Sequence, residues 1–228
     1  MNFFGHATVA TWHRVEPAFV LGSMLPDFAS MMRIRLGEVR HRQVGAGVEL
    51  HHRTDAAFHA APTFLSLCSE ASGELMERGV QRGPARAVGH VGTELLLDGW
   101  LVRSEDAREA YVEALRAARG QALDRTVQWR DAEGPARLRE LCERLLSWGV
   151  PDGYGEPELV AERLSLTLSR RPLLALDEHA REVVRDRLSA MQQRVLSRAE
   201  TLMGELREAL PDVKPDGRNL TREGEVSA

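Results

Sequence analysis

Apolar residues recur at intervals of three and four along most of this chain of 228 residues. The pattern is clearest over residues 107–123, 134–149 and 178–210, and no segment alternates apolar and polar residues as a strand does. Such a pattern places an apolar stripe along one face of an α-helix. The sequence therefore predicts an all-α fold, a bundle of helices around one core.

Proline and glycine mark the expected turns between helices, near Pro26, over 78–84, over 149–158 and near Pro172. We expect a single helical domain over residues 1–210, with a metal site in 1–103 and a helical remainder over 104–210. Residues 211–228 are polar and contain two prolines, which predicts a flexible tail.

The bulk properties favour some protein classes over others. The net charge of −4 gives no general reason to bind nucleic acid or an anionic membrane. Cys68 and Cys142 are far apart and show neither disulfide nor metal-ligand spacing. The first residues do not resemble a signal peptide, and no apolar segment approaches the roughly 20 residues that span a bilayer. We therefore expect a cytoplasmic protein that binds neither nucleic acid nor membrane.

Seven of the eight histidines lie in the first hundred residues, and two of them form part of a regular row. His51, Asp55 and His59 follow one another at spacings of four, which stacks them along one face of a helix. Imidazole and carboxylate groups together suit a divalent first-row metal. This row predicts one wall of a metal site.

A second row, His90, Glu94 and Asp98, has the same spacing of four inside an otherwise apolar segment. A buried charge without a partner costs several kcal/mol even after relaxation. These groups must therefore be exposed, paired or bound to metal. Two such helices packed face to face would complete the site.

Two further residues are candidates for the same site. His6 lies within the apolar segment FFGHATVA, and Asp27 follows the expected turn at Pro26. Other readings stay open, because Asp27 could cap a helix and His6 could be an ordinary core histidine. The pair His51 and Asp55 could also be a surface pair worth a few tenths of a kcal/mol. None of these readings explains two rows of histidine and carboxylate at once.

The order of the motifs MNFFGHA, LGSMLPDF, GVELHHRTDAAFHAAPTF, ELLLDGWL and SRRPLLAL resembles that of the acyl carrier protein phosphodiesterases, also called acyl carrier protein hydrolases. The resemblance covers roughly the first hundred residues and touches again at Arg170, Arg171 and Pro172. It implies a helical fold related to the HD-domain phosphohydrolases, with Mn²⁺ as the preferred ion and Zn²⁺, Fe²⁺ or Mg²⁺ as alternatives. It also implies release of 4'-phosphopantetheine from the serine of holo acyl carrier protein.

The resemblance assigns metal or catalytic roles to five residues at motif positions: His6, Asp27, His51, Asp55 and Asp98. The spacing adds Glu94 to the expected metal ligands. For proton transfer, either Asp55 or Glu94 is the expected base, and either His51 or His90 the expected acid, because ligands and acid–base groups use the same residue types. Arg53, Arg170 and Arg171 are expected to bind phosphate through charge-assisted hydrogen bonds.

The chain departs from the family pattern at three positions. Ser23 stands where the family usually has Asn, His59 where it often has Asp, and Gly99 where it usually has His. His90 is an additional imidazole one turn before Glu94. These departures leave a different metal or a different phosphoester open.

An acyl carrier protein is acidic, so this partner requires a basic rim on a protein of net negative charge. Four arginines between Asp27 and His51 could form it, or could belong to a solvated loop: Arg33, Arg35, Arg40 and Arg42. Two other functions stay open, a zinc-dependent phospholipase C-like hydrolase and a non-catalytic helical interaction protein. Metal content and a panel of substrates distinguish the three.

Overall fold

The computed structural model describes residues 1–118 and 127–211, and within them the chain forms nine α-helices and two short strands. In chain order these are α1 (Phe3–Thr11), α2 (Pro17–Met32), β1 (Leu36–Val39), α3 (Arg42–Ala60), α4 (Pro62–Glu77), α5 (Arg82–Leu101), α6 (Glu105–Ala118), β2 (Val127–Trp129), α7 (Gly134–Trp148), α8 (Pro157–Ser169) and α9 (Glu178–Ala209). The predicted all-α fold is confirmed.

Helix α1 lies at the centre of the bundle. Every residue from Phe3 to Ala10 is buried, and the helix contacts α2, α3, α5 and α6. The segment FFGHATVA has apolar or small residues all round the helix, so it can be covered on every side. This placement carries His6 into the interior, where it is 1% exposed.

The long helix α9 closes the other side of the bundle against α4, α5 and α8. Val184, Leu188, Met191 and Val195 follow at three-to-four spacing and are all buried. The Asp177 carboxylate caps its start by accepting a hydrogen bond of 2.8 Å from the backbone N–H of Ala180. Helices α7 and α9 match the predicted segments, and α6 matches the part of 107–123 that lies within the described residues.

The expected turn at Pro26 is wrong. Pro26 lies inside α2, which continues to Met32. A proline in a helix costs about 3 kcal/mol because it removes a hydrogen bond and crowds the preceding turn. Here Leu25, Phe28 and Ala29 are buried on both sides of it, and their packing holds the helix together.

The prediction also missed the strand pair. β1 and β2 are antiparallel, with Leu36 opposite Trp129 and Val39 opposite Val127. Strands of four and three residues are too short for an alternating pattern to be recognised. Arg33 ends α2 in the left-handed conformation, with φ of 57°, and turns the chain towards β1.

The other expected helix breaks are confirmed. The chain leaves α7 at Trp148 and enters α8 at Pro157, with a 3₁₀ turn at Asp152–Gly155 between them. A second 3₁₀ turn, Pro172–Leu174, joins α8 to α9.

One hydrophobic core draws residues from all the described helices, and none of these helices is long and apolar enough to cross a membrane. Residues 212–228 of the predicted tail lie outside the described residues.

Candidate metal centre

Helices α2 and α3 cross in backbone contact at Gly22 and Gly47. A Cβ atom on Gly22 would lie 2.2 Å from the carbonyl oxygen of Val44, and one on Gly47 would lie 2.2 Å from that of Phe19. Only glycine permits this approach without moving one helix. It brings the carbonyl oxygen of Ser23 within 2.8 Å of His51 Nδ1.

Three side chains from three helices meet beside this crossing, and we call them the buried group: His6 of α1, Asp27 of α2 and His51 of α3. Their ligand atoms lie within 4.8 Å of one another. His6 Nε2 is 3.8 Å from Asp27 Oδ2, and the His6 and His51 rings stack with centroids 3.9 Å apart. The structure thus brings together three of the five residues to which the resemblance assigns metal or catalytic roles.

The polar atoms of the buried group lack protein partners. Both ring nitrogens of His6 and Oδ2 of Asp27 are buried without a hydrogen bond. Each such atom costs about 1–3 kcal/mol. The Ser23 carbonyl can only accept, so His51 donates from Nδ1 and keeps the lone pair of its neutral ring on Nε2. A backbone carbonyl behind a metal-binding histidine commonly fixes the ring in this way. These residues fit a divalent cation.

Burial sets the charge of this group. It lowers the pKa of His6 well below the ordinary value, and the nearby His51 lowers it further. Burial also lowers the pKa of His51 and raises the pKa of Asp27 well above the usual range. Both imidazoles are therefore neutral at neutral pH and present lone pairs, which is the form that binds metal.

A second cluster, which we call the open group, consists of His59, His90 and Glu94. Its ligand atoms also lie within 4.8 Å of one another. His59 Nε2 and His90 Nε2 are each 3.2 Å from Glu94 Oε1, and the two rings stack with centroids 4.9 Å apart. The His90 side chain is 46% exposed, so solvent reaches this group.

Asp55 connects the two groups. Its Oδ1 lies 3.8 Å from His6 Nε2 and 3.4 Å from His59 Nδ1. The amino group of Met1 also enters here, 3.1 Å from both Asp55 Oδ1 and Glu94 Oε1. The two predicted rows therefore face each other across the start of α1.

Hydrogen bonds set the charges on this side of the centre. Burial raises the pKa of Asp55, but the bonds from His59 and the Met1 amino group outweigh it and hold that pKa well below its usual range. The same holds for Glu94, where the bonds from His59 and His90 outweigh burial. Bonds to Asp55 and Glu94 raise the pKa of His59 to about 9. Both carboxylates are ionised at neutral pH.

Asp98, a predicted ligand, belongs to neither group. It is 1% exposed, and its Oδ2 accepts a hydrogen bond of 2.8 Å from the side-chain amide of Asn2. Asn2 in turn caps α1 by accepting a bond of 3.0 Å from the N–H of Phe3. Burial raises the pKa of Asp98 to about 8. In this structure Asp98 holds the start of α1, and its role as a ligand stays a prediction.

Two of the departures from the family pattern have a structural explanation. Ser23 Oγ lies 2.7 Å from the carbonyl oxygen of Val20 and 3.2 Å from that of His6, and donates to them. Ser23 thereby ties α1 to α2 while its carbonyl orients His51. A Cβ atom on Gly99 would lie 2.2 Å from the carbonyl oxygen of Tyr154, so no side chain fits there without movement.

The three predicted phosphate-binding arginines lie in different places. Arg53 is exposed on α3, between His51 and Asp55 in sequence. Arg170 follows α8, and Arg171 precedes the 3₁₀ turn Pro172–Leu174, which contacts α5. Leu173 of that turn lies beside Gly83, and Gly83 is about 16 Å from Glu94 along the helix. Phosphate binding by Arg170 and Arg171 stays a prediction.

Cavities adjoin the centre on two sides. One of about 660 Å³ lies between α2, β1 and α3 and is lined by residues that include Pro26, Arg35, His52 and Arg130. Another of about 540 Å³ lies between α4 and α5 and is lined by residues that include Arg82, Arg86 and His90. Of the four arginines expected to form a basic rim, Arg35 lines the first cavity.

Two residues of the centre were given no individual role from the sequence. His59 stood in the first predicted row, at a spacing of four from Asp55, but it was assigned neither as a metal ligand nor as an acid or base. Asn2 has no such signal, because its contact with Asp98 joins residues 96 positions apart.

Comparison of the chain with protein-family models, with curated proteins and with solved structures finds no match in any of the three.

Proposed function

We propose that the protein is a metal-dependent phosphodiester hydrolase with an HD-like helical architecture, and that it releases 4'-phosphopantetheine from holo acyl carrier protein. The observation that carries the metal centre is the buried group. His6 and Asp27 bury polar atoms without protein partners next to a histidine whose ring is already oriented by a backbone carbonyl. The choice of substrate rests on the motif resemblance to the acyl carrier protein phosphodiesterases.

The donor set narrows the choice of cation. Two imidazoles and one carboxylate suit a first-row transition metal better than Mg²⁺, which prefers oxygen ligands. Mn²⁺ is the ion that the resemblance implies, and Zn²⁺ and Fe²⁺ suit the same donors. When bound, such a cation would supply a Lewis acid for the phosphodiester and would lower the pKa of a water molecule towards neutrality.

The surroundings distinguish the two candidate bases. Asp55 is ionised, and its side chain is 40% exposed, so it can accept the proton of the attacking water. Glu94 is 14% exposed, and one of its oxygens already faces three nitrogen atoms. In the reaction the water oxygen bonds to phosphorus, the bond from phosphorus to the serine oxygen breaks, Asp55 takes a proton of the water, and the serine oxygen takes a proton from solvent. Asp55 is therefore the proposed base.

The two candidate acids also differ. His51 donates from Nδ1 to the Ser23 carbonyl and is 7% exposed, which suits a ligand rather than a proton donor. His90 lies on the side that solvent reaches, where the leaving oxygen can be stabilised. His90 rather than His51 therefore serves the leaving-group side of the reaction.

The partner requires a positively charged surface near the centre. Arg35 and Arg130 line the cavity between α2, β1 and α3, together with Pro26, which precedes the ligand Asp27. Arg40 pairs with Glu38 at 3.3 Å, so its charge is partly offset. Arg35 and Arg130 are the proposed contacts for an acidic carrier protein.

The test combines elemental analysis with mass spectrometry. The purified protein is analysed for metal and then incubated with holo acyl carrier protein and MnCl₂. We expect bound metal and loss of the phosphopantetheine mass, and no loss with Asp27→Asn. Bound metal, an unchanged carrier protein and hydrolysis of a small phosphodiester would instead indicate another phosphoester. Absence of both metal and activity would contradict the proposal and favour an interaction protein.

A further inference from the structure

The open group places too many donors around one oxygen. Glu94 Oε1 lies 3.1 Å from the Met1 amino group and 3.2 Å from both His59 Nε2 and His90 Nε2. A carboxylate oxygen offers about two lone-pair sites, so three N–H bonds cannot all be made well. A cation beside Glu94 would displace the protons that these nitrogens direct at the carboxylate and would accept one lone pair from each imidazole.

We propose that His59, His90 and Glu94 form a second divalent-cation site, joined through Asp55 to the site of the buried group. The inference rests on the proposed function for the first cation and adds a second one to the same centre. It assigns a purpose to the two imidazoles that depart from the family pattern, His59 and His90.

The donor set and its surroundings support a built site. Two imidazoles and a carboxylate recur here, the same combination as in the buried group. The Phe64 ring packs edge-on against both histidines, with centroids 5.4 Å from His59 and 5.2 Å from His90. This packing holds the two rings in place, and rings that are already held lose little freedom when they bind an ion.

The two sites differ in exposure. The His6 side chain is fully buried, whereas that of His90 is 46% exposed and lines the cavity between α4 and α5. A catalytic site keeps a coordination position for water or substrate, and the open group provides access for one. Paired cations stabilise both the attacking and the leaving oxygen of a phosphoryl transfer.

Asp55 connects the two proposed cation sites. Its Oδ1 lies between His6 Nε2 and His59 Nδ1, at 3.8 Å and 3.4 Å, so one carboxylate reaches both groups. The Met1 amino group, which contacts Asp55 and Glu94 at 3.1 Å, shows that a positive charge is favoured between these carboxylates. A cation at the open group and this amino group compete for Glu94.

The test measures metal stoichiometry and does not depend on turnover. Protein stripped with EDTA is dialysed against MnCl₂ and analysed for metal. We expect two equivalents per chain in the wild type, one in the double variant His59→Gln/His90→Gln, and one in Asp27→Asn. Electron paramagnetic resonance should show coupled Mn²⁺ pairs in the wild type and in neither of these two variants. His179→Gln, which changes an exposed histidine at the start of α9 outside both groups, serves as the matched control and should retain two.

Circular dichroism melting of the stripped proteins checks that each variant folds. If the wild type bound one equivalent of Mn²⁺ and His59→Gln/His90→Gln bound the same amount, the second site would be overturned and the first would stand. If the folded double variant bound no Mn²⁺ at all, the open group would not be a separate cation site. Two equivalents without hydrolysis of any phosphodiester would support the second site and contradict the proposed function, so the two failures are distinguishable.

Discussion

The rings of His6 and His51 stack with centroids 3.9 Å apart, although His6 comes from α1 and His51 from α3. Two protonated imidazoles would repel each other strongly at this distance in a buried space. Burial lowers the pKa of both, so the stack consists of neutral rings. The protein therefore holds two nitrogen donors beside Asp27 in the form a cation requires.

Asp27→Asn should remove the first cation while preserving the fold. The substitution keeps the shape of the side chain, and its neutral amide suits a position where burial already raises the pKa of the acid. We expect metal affinity and phosphodiesterase activity to fall by about 100-fold or more. Metal titration and hydrolysis of a small aryl phosphodiester measure both. Glu77→Gln, exposed at the end of α4, should change neither; an Asp27→Asn protein with full affinity would contradict the buried group.

Gly22→Ala should weaken both the fold and the metal site. Its Cβ would lie 2.2 Å from the Val44 carbonyl oxygen, so α2 and α3 must separate. Forcing atoms into a packed contact costs about 1–3 kcal/mol. The separation also draws the Ser23 carbonyl away from His51, which should weaken metal binding. Urea denaturation and metal titration measure the two effects.

Gly73→Ala is the matched control for Gly22→Ala. Gly73 lies within α4, and a Cβ there meets nothing within 4 Å. Alanine should stabilise this helix by up to about 1 kcal/mol. If both substitutions behaved alike, the close crossing of α2 and α3 would have no special role.

Asp98 should make the metal-free protein less stable as pH rises. Its pKa in the folded state is about 8, against an ordinary value of 3.8, because the carboxyl is buried. Between these values the folded state binds the proton that the unfolded state has lost. The contribution is therefore fully present below pH 3.8 and is lost as pH rises through about 8.

Asp98→Asn isolates this effect from other titrating groups. The pKa of His59 is raised to about 9, so its contribution to the unfolding free energy is also lost as pH rises. The pH profile of the wild type alone therefore does not isolate the contribution of Asp98. In EDTA, the difference in unfolding free energy between wild type and Asp98→Asn should shift in favour of the variant from pH 5 to about 9. Urea denaturation at several pH values measures it. A difference independent of pH would show that Asp98 is already ionised at low pH.

Gly99→His restores the residue that the family usually has, and should nevertheless damage this protein. The space beyond the Gly99 backbone is filled by the Tyr154 carbonyl. We expect a loss of stability of about 1–3 kcal/mol or more and no gain in activity. Thermal melting and turnover of the aryl phosphodiester provide the measurement. A stable, faster enzyme would show that this departure weakens the chemistry.

Neutralising Arg35 and Arg130 should affect the turnover of the carrier protein only. Arg35→Gln/Arg130→Gln changes residues that line the cavity between α2, β1 and α3. We expect slower turnover of holo acyl carrier protein at low salt, with the difference shrinking as salt screens the charges. Hydrolysis of the small aryl phosphodiester should stay unchanged. Equal losses of turnover on both substrates would contradict a docking role for Arg35 and Arg130.

The sequence was informative where the signal is local. Spacings of four placed His51, Asp55 and His59 on one helix face, and His90 and Glu94 on another, and the structure shows both faces meeting. What no local pattern encodes is the insertion of α1 between these faces. That insertion divides the ligands into a buried and an open group.

Asp27 illustrates the same limit. The sequence placed it after a turn, yet it reaches the centre from inside α2 because buried neighbours keep the helix intact through Pro26. Asp98 shares the spacing of its row but binds Asn2 instead of joining either group. Residue spacing identifies which side chains share a face, whereas packing decides which of them meet.

The burial of α1 has a consequence for how the protein is made. Asn2 binds Asp98, 96 residues further on, so the start of α1 finds its partner only once α5 exists. At about 5–20 residues per second, a ribosome delivers α5 roughly 5–20 s after α1. Contacts of such long range form late in folding. An ion at the proposed centre would need α1, α2, α3 and α5 together, so its uptake by a newly made chain would report that these four helices have assembled.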